Sequence, residues 1–220
     1  MKMTGALDKS KEEQILDAAT EVLLEQGLAG ARMQEIANHA GINKTLLHYY
    51  FRSKENIYRR VVERIFGGFF GQMEAILTSE ESLPAALRGF IEGFFAVLTA
   101  NPKVPNFMMQ ELSRGGKAVQ EIMTTVLSRT KLTLPQHFVG LMRREQEAGT
   151  IAPVNPYQFL VTLLGACTYY FAAEPIVRAV IRASELGRVT SRERFIEERK
   201  EEIFNVLYYG LKKRKGKDAR

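Results

Sequence analysis

One cysteine, Cys167, stands among 220 residues, so no disulfide can close within the chain. The three histidines lie far apart and show no metal-ligand spacing. No glycine-rich phosphate loop, metal-spaced cluster or nucleophile–base pairing is present, which argues against an enzyme. Nowhere does apolar–polar alternation persist long enough for a strand, and no segment repeats. The opening stretch MKMTGALDKSKEE lacks the apolar core of a signal peptide. The longest uncharged helical run, Phe159–Ala173, is fifteen residues and contains threonines and tyrosines. A membrane span needs about twenty apolar residues, so a buried helix is the better reading. These absences point to an all-α, cytoplasmic protein with no metal, no cofactor and no membrane partner.

Charge says less than its total suggests. The formal net charge is +6, but residues 211–220, LKKRKGKDAR, carry six basic groups and one acid, leaving +1 for the rest. That end reads as a disordered, solvated basic tail, with nonspecific DNA affinity as the alternative. The balance within 41–64 is more telling: Lys44, Arg52, Lys54, Arg59, Arg60 and Arg64 stand against Glu55 and Glu63.

The densest information lies in Met33–Lys54, MQEIANHAGINKTLLHYYFRSK. Met33, Ile36, Ala37 and Ala40 fall on one helical face. Gly41 stands where the chain must leave that helix, a place that favours the left-handed conformation. Ile42 then drops between two helices, Asn43 is a suitable N-cap, and Leu46, Leu47 and Tyr50 point inward at helical spacing. Phe51 closes this core and Ser53 caps a further helix. Two short helices joined by a glycine turn form a helix-turn-helix, whose second helix fits the DNA major groove. Its outward residues suit DNA. Lys44 and Lys54 can neutralise phosphates, and the Tyr49 phenol can donate to one. Asn43, Thr45 and His48 carry short donors and acceptors near the helix start, where base edges are reached. The plainer alternative is a solvated face on an ordinary three-helix core.

These residues resemble the TetR/AcrR family of one-component transcriptional regulators. The match rests on Ile36-Ala37, Ala40-Gly41-Ile42, Lys44, Leu47, Tyr49-Tyr50-Phe51 and Ser53-Lys54-Glu55. Upstream, Ile15-Leu16-Asp17-Ala18-Ala19 and Glu25-Gln26-Gly27-Leu28 look like the family's first helix and its exit. The resemblance is close over 10–60; beyond that it is one of layout. It implies a homodimer that binds a palindromic double-stranded operator, usually as a repressor, and releases it when a small lipophilic or aromatic effector binds. By position, Lys44, Tyr49 and Lys54 look like phosphate contacts, with Thr45 and His48 toward bases. Ala31 and Arg32 replace the family's usual cap, so Arg32 is expected at the DNA backbone. The family often has glycine at 45 and tyrosine at 48, so these departures touch base preference rather than DNA binding.

The expected layout is a helix-turn-helix domain over 1–55, with a linking helix from about 54, then a helical-bundle domain for ligand and dimerisation over 56–213 and the tail 214–220, in about nine helices. Ser10 with Glu13 makes a capping box for the first helix, and Gly27 ends it. The linking helix runs toward Leu77 with Gly67, Gly68 and Gly71 inside. Each interior glycine costs about 1 kcal/mol relative to alanine. They read either as close packing or as a soft point in a lever. Further helices are expected at about Ser82–Ala100, Pro105–Arg114, Lys117–Ala148 with a kink at Pro135, Tyr157–Ala183 interrupted at Pro175, and Thr190–Lys213.

For the effector, the candidates are Phe94, Phe107, Met108, Phe138, Met142, Leu163, Cys167, Tyr169 and Tyr170, bulky and mostly apolar with a few hydroxyls. Any helical core is built of the same residues, so the pocket reading leans on the resemblance. For the dimer contact the candidates are Phe171, Phe195, Ile203, Phe204 and Leu207, as part of a two-helix set that its symmetry mate would complete; packing within one subunit is the alternative. A helical protein-interaction scaffold without DNA binding is the competing function.

Overall fold

The computed structural model describes residues 3–130, 134–184 and 191–212. The described residues form ten α-helices: α1 Met3–Gly30, α2 Met33–His39, α3 Lys44–Phe51, α4 Lys54–Thr78, α5 Leu83–Ala100, α6 Val104–Ser113, α7 Lys117–Thr130, α8 Leu134–Glu147, α9 Pro156–Ala183 and α10 Arg192–Leu211. Among the described residues, β pairing is confined to one isolated bridge, Ile151 with Lys212.

Several boundaries differ from the sequence expectation, each for a physical reason. α1 begins at Met3, so Ser10 and Glu13 lie inside it rather than at its start. The expected kinked helix over 117–148 is two helices, with Pro135 in the first turn of α8, where a missing N–H costs nothing. Pro175 lies inside a continuous α9. α10 starts at Arg192, its Ser191 N-cap accepting from the Arg194 amide at 3.2 Å. The basic tail 214–220 lies outside the described residues.

The chain divides into two compact units. One comprises Met1–Phe69 with Asn106–Lys131, the other Phe70–Pro105 with Leu132–Arg220. Residues 106–131 thus belong with the N-terminal helices, an association that a boundary at 55–56 does not contain. In the first unit, Ile15, Ala19, Val22 and Leu23 of α1 are buried with Ile36 and Ala37 of α2, Leu47 and Phe51 of α3, and Ile57, Tyr58 and Val61 of α4. Fully burying each aliphatic side chain contributes about 1.5–3 kcal/mol, so this shared core suffices to hold the short helices α2 and α3 between α1 and α4.

The first unit also holds a buried carboxylate, Glu111 of α6. The Tyr58 hydroxyl donates to its Oε2 at 2.7 Å, and Arg114 Nη1 stands 3.7 Å from its Oε1. Phe107 of α6 packs beside Tyr58 with ring centroids 6.2 Å apart. Gly27 lies against the same group. Its φ of 66° and ψ of 179° break the helical path of α1, and a methyl there would stand 2.7 Å from Arg114 Nη1 and 3.0 Å from Glu111 Oε1. Both the backbone and the space demand glycine.

The second unit is built on α5, whose Leu83, Leu87, Phe90, Ile91, Phe94, Phe95 and Leu98 are buried. Phe95 meets Phe171 of α9 edge-on at 5.2 Å, and Phe138 of α8 stacks with Phe159 of α9 at 6.1 Å. Polar links tie α10 to α5: Arg88 to Glu201 at 2.7 Å and Lys200 to Glu92 at 2.6 Å, with the Arg88 guanidinium 3.7 Å above the Phe204 ring. The close-packed glycines are Gly89 and Gly93 on α5. A methyl on Gly93 would come within 2.5 Å of Ile76 Cδ1 and 2.6 Å of Met73 Cε, and one on Gly89 within 2.8 Å of Ile76 Cγ2. At Gly67, Gly68 and Gly71, by contrast, a methyl would meet no described atom within 4 Å. Close packing therefore does not account for the α4 glycines.

Both α5 and α9 are long and apolar enough, by length and composition alone, to cross a membrane. Half of the α5 window is buried as core; only 22% of the α9 window is buried within the chain. The large apolar residues that α9 leaves exposed are Tyr157, Val161, Leu164, Tyr169, Ile176 and Val180.

Candidate nucleic-acid interface

The α2–α3 turn is fixed by local hydrogen bonds. Ile42 N–H donates to the Ala37 carbonyl at 3.0 Å and Gly41 N–H to that of Asn38 at 3.1 Å, with Gly41 at φ 62°. From α1, the Gln14 amide donates to the Ala40 carbonyl at 3.0 Å and so closes the end of α2. Asn43 caps α3: its Oδ1 accepts from the Leu46 amide at 2.8 Å. That oxygen is occupied, which leaves the Asn43 NH2 group as the part available to a base edge.

The face this presents is the expected one. Lys44, Thr45, His48 and Tyr49 are exposed, Tyr49 to 74%, while Leu47 and Phe51 are buried beneath them. The Tyr49 ring stands edge-on to Tyr50, with centroids 5.5 Å apart, so the large exposed aromatic has a fixed neighbour. Arg32 occupies the N-cap position of α2 in extended conformation; it makes no side-chain cap and is exposed. Lys54 opens α4, preceded by Ser53, whose hydroxyl accepts from the Asn56 amide at 3.2 Å. Glu55 shares that helix start. A backbone hydrogen bond, and then the Ser53 hydroxyl, hold its carboxyl below the usual range.

Two basic residues counted in the sequence are already paired. Arg60 meets Glu12 of α1 at 2.6 Å and Arg64 meets Asp17 at 2.5 Å. Arg52, which counts in the sequence only toward the basic balance of 41–64, ends α3. Its φ of 60° and ψ of −45° make it the one described non-glycine residue with positive φ, and its carbonyl oxygen lies 2.9 Å from His48 Nδ1.

The expected effector residues do not all come together. Phe94, Phe138, Met142, Leu163, Cys167 and Tyr170 are buried in the second unit. Phe107 and Met108 belong to the first unit, where Phe107 serves the Tyr58 core. Tyr169 is 64% exposed and does not line an interior. Consecutive helical residues are about 100° apart, so Tyr169 and Tyr170 cannot both face the same core. Burial pushes the Cys167 thiol up to about 12, against the opposing influence of Arg199. His137 is a satisfied histidine: its Nε2 lies 3.0 Å from the Glu80 carbonyl oxygen.

The expected dimer residues also divide. Phe171, Ile203 and Phe204 are buried within the second unit, and Phe195 stacks on Tyr170 at 4.8 Å, with Leu207 half-buried. These side chains are largely consumed inside the subunit. The open apolar surface lies instead on the exposed α9 residues and on Val206 and Tyr209 of α10.

Residues 15–61 match the family model described as bacterial regulatory proteins, tetR family. Over nearly its whole length the chain is similar to the HTH-type transcriptional regulator RutR of Escherichia coli K12, 27% identical across 97% of this chain and 98% of that protein. It is 29% identical to the HTH-type transcriptional repressor NicS of Pseudomonas putida across 64% of each. Among solved structures, the transcriptional regulator FadR of Bacillus subtilis, in complex with stearoyl-CoA, shares the fold with a TM-score of 0.65. It is 17% identical, and the match covers 91% of this chain and 99% of that one.

Proposed function

The chain is a TetR-family transcriptional regulator, and from that premise we propose that it acts as a cytoplasmic homodimer that represses from a palindromic operator and releases it when a lipophilic or aromatic effector binds. The observation that carries the DNA part is the exposed face of α3: Lys44, Thr45, His48 and Tyr49 stand in solvent over buried Leu47 and Phe51. In this reading Lys44, Tyr49, Lys54 and Arg32 contact phosphates, while Thr45, His48 and the Asn43 amide face bases.

The exposed apolar residues of α9, with Val206 and Tyr209, support the dimer. Exposed apolar residues on a helix whose Phe159–Ala173 stretch carries no charge are what a symmetric four-helix contact covers. The effector site is assigned to the second unit, at the apolar set Phe94, Phe138, Met142, Leu163 and Cys167. The fold shared with a regulator bound to stearoyl-CoA favours a fatty acyl compound as the first ligand to try. Effector and DNA then oppose each other through a coupling of about 1–3 kcal/mol, and the effect is reciprocal.

The test is a titration of duplex DNA from the chain's own upstream region, with sedimentation to read the oligomer and acyl-CoA thioesters added to the complex. Sequence-dependent binding by a dimer, weakened by an acyl-CoA, is expected. A monomer indifferent to every duplex overturns the reading.

A further inference from the structure

His48 stands on the outward side of α3, and its ring is not free to choose its hydrogen-bonding pattern. Nδ1 lies 2.9 Å from the Arg52 carbonyl oxygen. A carbonyl oxygen only accepts, so this bond requires the hydrogen on Nδ1. Arg52 N–H in turn donates to the His48 carbonyl at 2.9 Å, which makes the two residues reciprocal partners. In a continuing helix the carbonyl of residue 52 would point along the axis, away from residue 48. It turns back because Arg52 sits at φ 60°, ψ −45°, with Ser53 N–H donating to the Phe51 carbonyl at 2.6 Å across it. That is a γ-turn, a strained conformation for a residue with a side chain. The strain and the ring contact are one device: the turn supplies the acceptor that orients the imidazole.

With the hydrogen on Nδ1, the outer nitrogen Nε2 of the uncharged ring is an acceptor. We propose that His48 reads the operator through Nε2 as a hydrogen-bond acceptor, selecting a base whose major-groove edge presents an exocyclic amine, adenine N6 or cytosine N4. Guanine O6 and thymine O4 offer only acceptors at the corresponding positions and would face Nε2 with like partial charge. This rests on α3 being the recognition helix and adds to that reading the class of base edge it selects at one position.

The experiment uses the full chain at mildly alkaline pH and an operator selected from a random duplex pool. Within each half-site, adenines are replaced one at a time by purine, which lacks N6, cytosines by 2-pyrimidinone, which lacks N4, and guanines by 7-deazaguanine. Binding is measured for the natural chain and for His48→Ala. The expected result is one amine deletion that weakens the natural chain about three- to tenfold per half-site and leaves His48→Ala unaffected. Coupling of His48 to 7-deazaguanine, or a uniform loss over all sequences with no coupled base, overturns the proposal. A natural chain that selects no sequence defeats the DNA reading itself, a separable outcome. Nitrogen NMR of the imidazole in the free protein checks the same point without mutation. Nδ1 bearing the hydrogen and a bare Nε2 are expected, and the reverse overturns the assignment.

Discussion

The Tyr58 hydroxyl, on α4, donates at 2.7 Å to the buried carboxylate of Glu111, on α6. This bond joins the helix that follows the DNA-facing segment to one that lies about fifty residues later in the chain but in the same compact unit. Gly27 presses against the other oxygen, so three segments meet at one charge. Removing a donor from a buried charged group costs about 1.5–3 kcal/mol. Tyr58→Phe should lose about that much in urea unfolding, and Tyr58→Phe with Glu111→Leu should regain part of it, because the second change removes the group left unsatisfied. A double variant worse than the sum of the single ones would show that Glu111 acts through other partners.

Alkaline pH should destabilise the fold. Burial first, and then Glu111, raise the Tyr58 phenol above its ordinary value of 10.0, and burial raises the Cys167 thiol from 9.0 to about 12. Both groups hold their proton more tightly folded than unfolded, so the folded state binds more protons and stability falls as pH rises. The Cys167 contribution is complete below pH 9.0 and lost between there and about 12. Unfolding free energies measured across that window should slope downward less steeply in Cys167→Ala than in the natural chain, whatever its stability at neutral pH. An identical slope would remove the thiol from the account.

Two glycine-to-alanine changes should have opposite signs. Gly68 is an exposed position in α4 where a methyl meets nothing described within 4 Å, so Gly68→Ala should stabilise by about 1 kcal/mol through helix propensity. Gly93→Ala drives a methyl to 2.5 Å from Ile76 Cδ1 and should destabilise by about 1–3 kcal/mol. If Gly68 also lends α4 flexibility, Gly68→Ala reduces the effector response more than operator affinity. Equal effects would leave helix propensity as its whole role.

Val161→Glu with Ile176→Glu tests the exposed apolar residues of α9. Both side chains are well exposed, at 65% and 67%, so the subunit should fold with unchanged helicity. Two charges at an apolar contact would leave sedimentation reporting a monomer. A dimer that survives both changes must be held elsewhere.

Lys54→Ala should weaken binding to all sequences alike and lower the slope of log affinity against log salt by about one per subunit contact. Arg60→Ala provides the contrast. Its guanidinium is engaged with Glu12 at 2.6 Å, so its loss should leave the slope nearly unaltered. Equal changes would mean that the Glu12 pair opens on DNA.

The helix-turn-helix was legible because its determinants are local: Gly41 at its positive φ, the Asn43 cap and the Leu47–Phe51 face lie within eleven residues of one another. Partnership was harder to read. Phe195, Ile203, Phe204 and Leu207 give α10 an apolar side, but such a side declares burial without saying against what, and Ile203 and Phe204 are covered within the same subunit. The α4 glycines drew attention by their density, yet Gly89 and Gly93 do the close packing, because proximity depends on which helix comes alongside. The placement of Glu111 beside Tyr58 is equally nonlocal. The sequence marks His48 as a candidate base contact by its position, while the nitrogen that carries its hydrogen depends on a carbonyl turned by the backbone at Arg52.

That bend at Arg52 also sets two goals against each other. An engineer seeking a more heat-resistant protein would place glycine there, since a residue without a Cβ takes φ 60° with little strain. The replacement would discard a cation beside the DNA-facing helix and loosen the turn that aims its neighbour's imidazole. If His48 reads the operator as proposed, thermal endurance and faithful target choice make opposite demands on one codon.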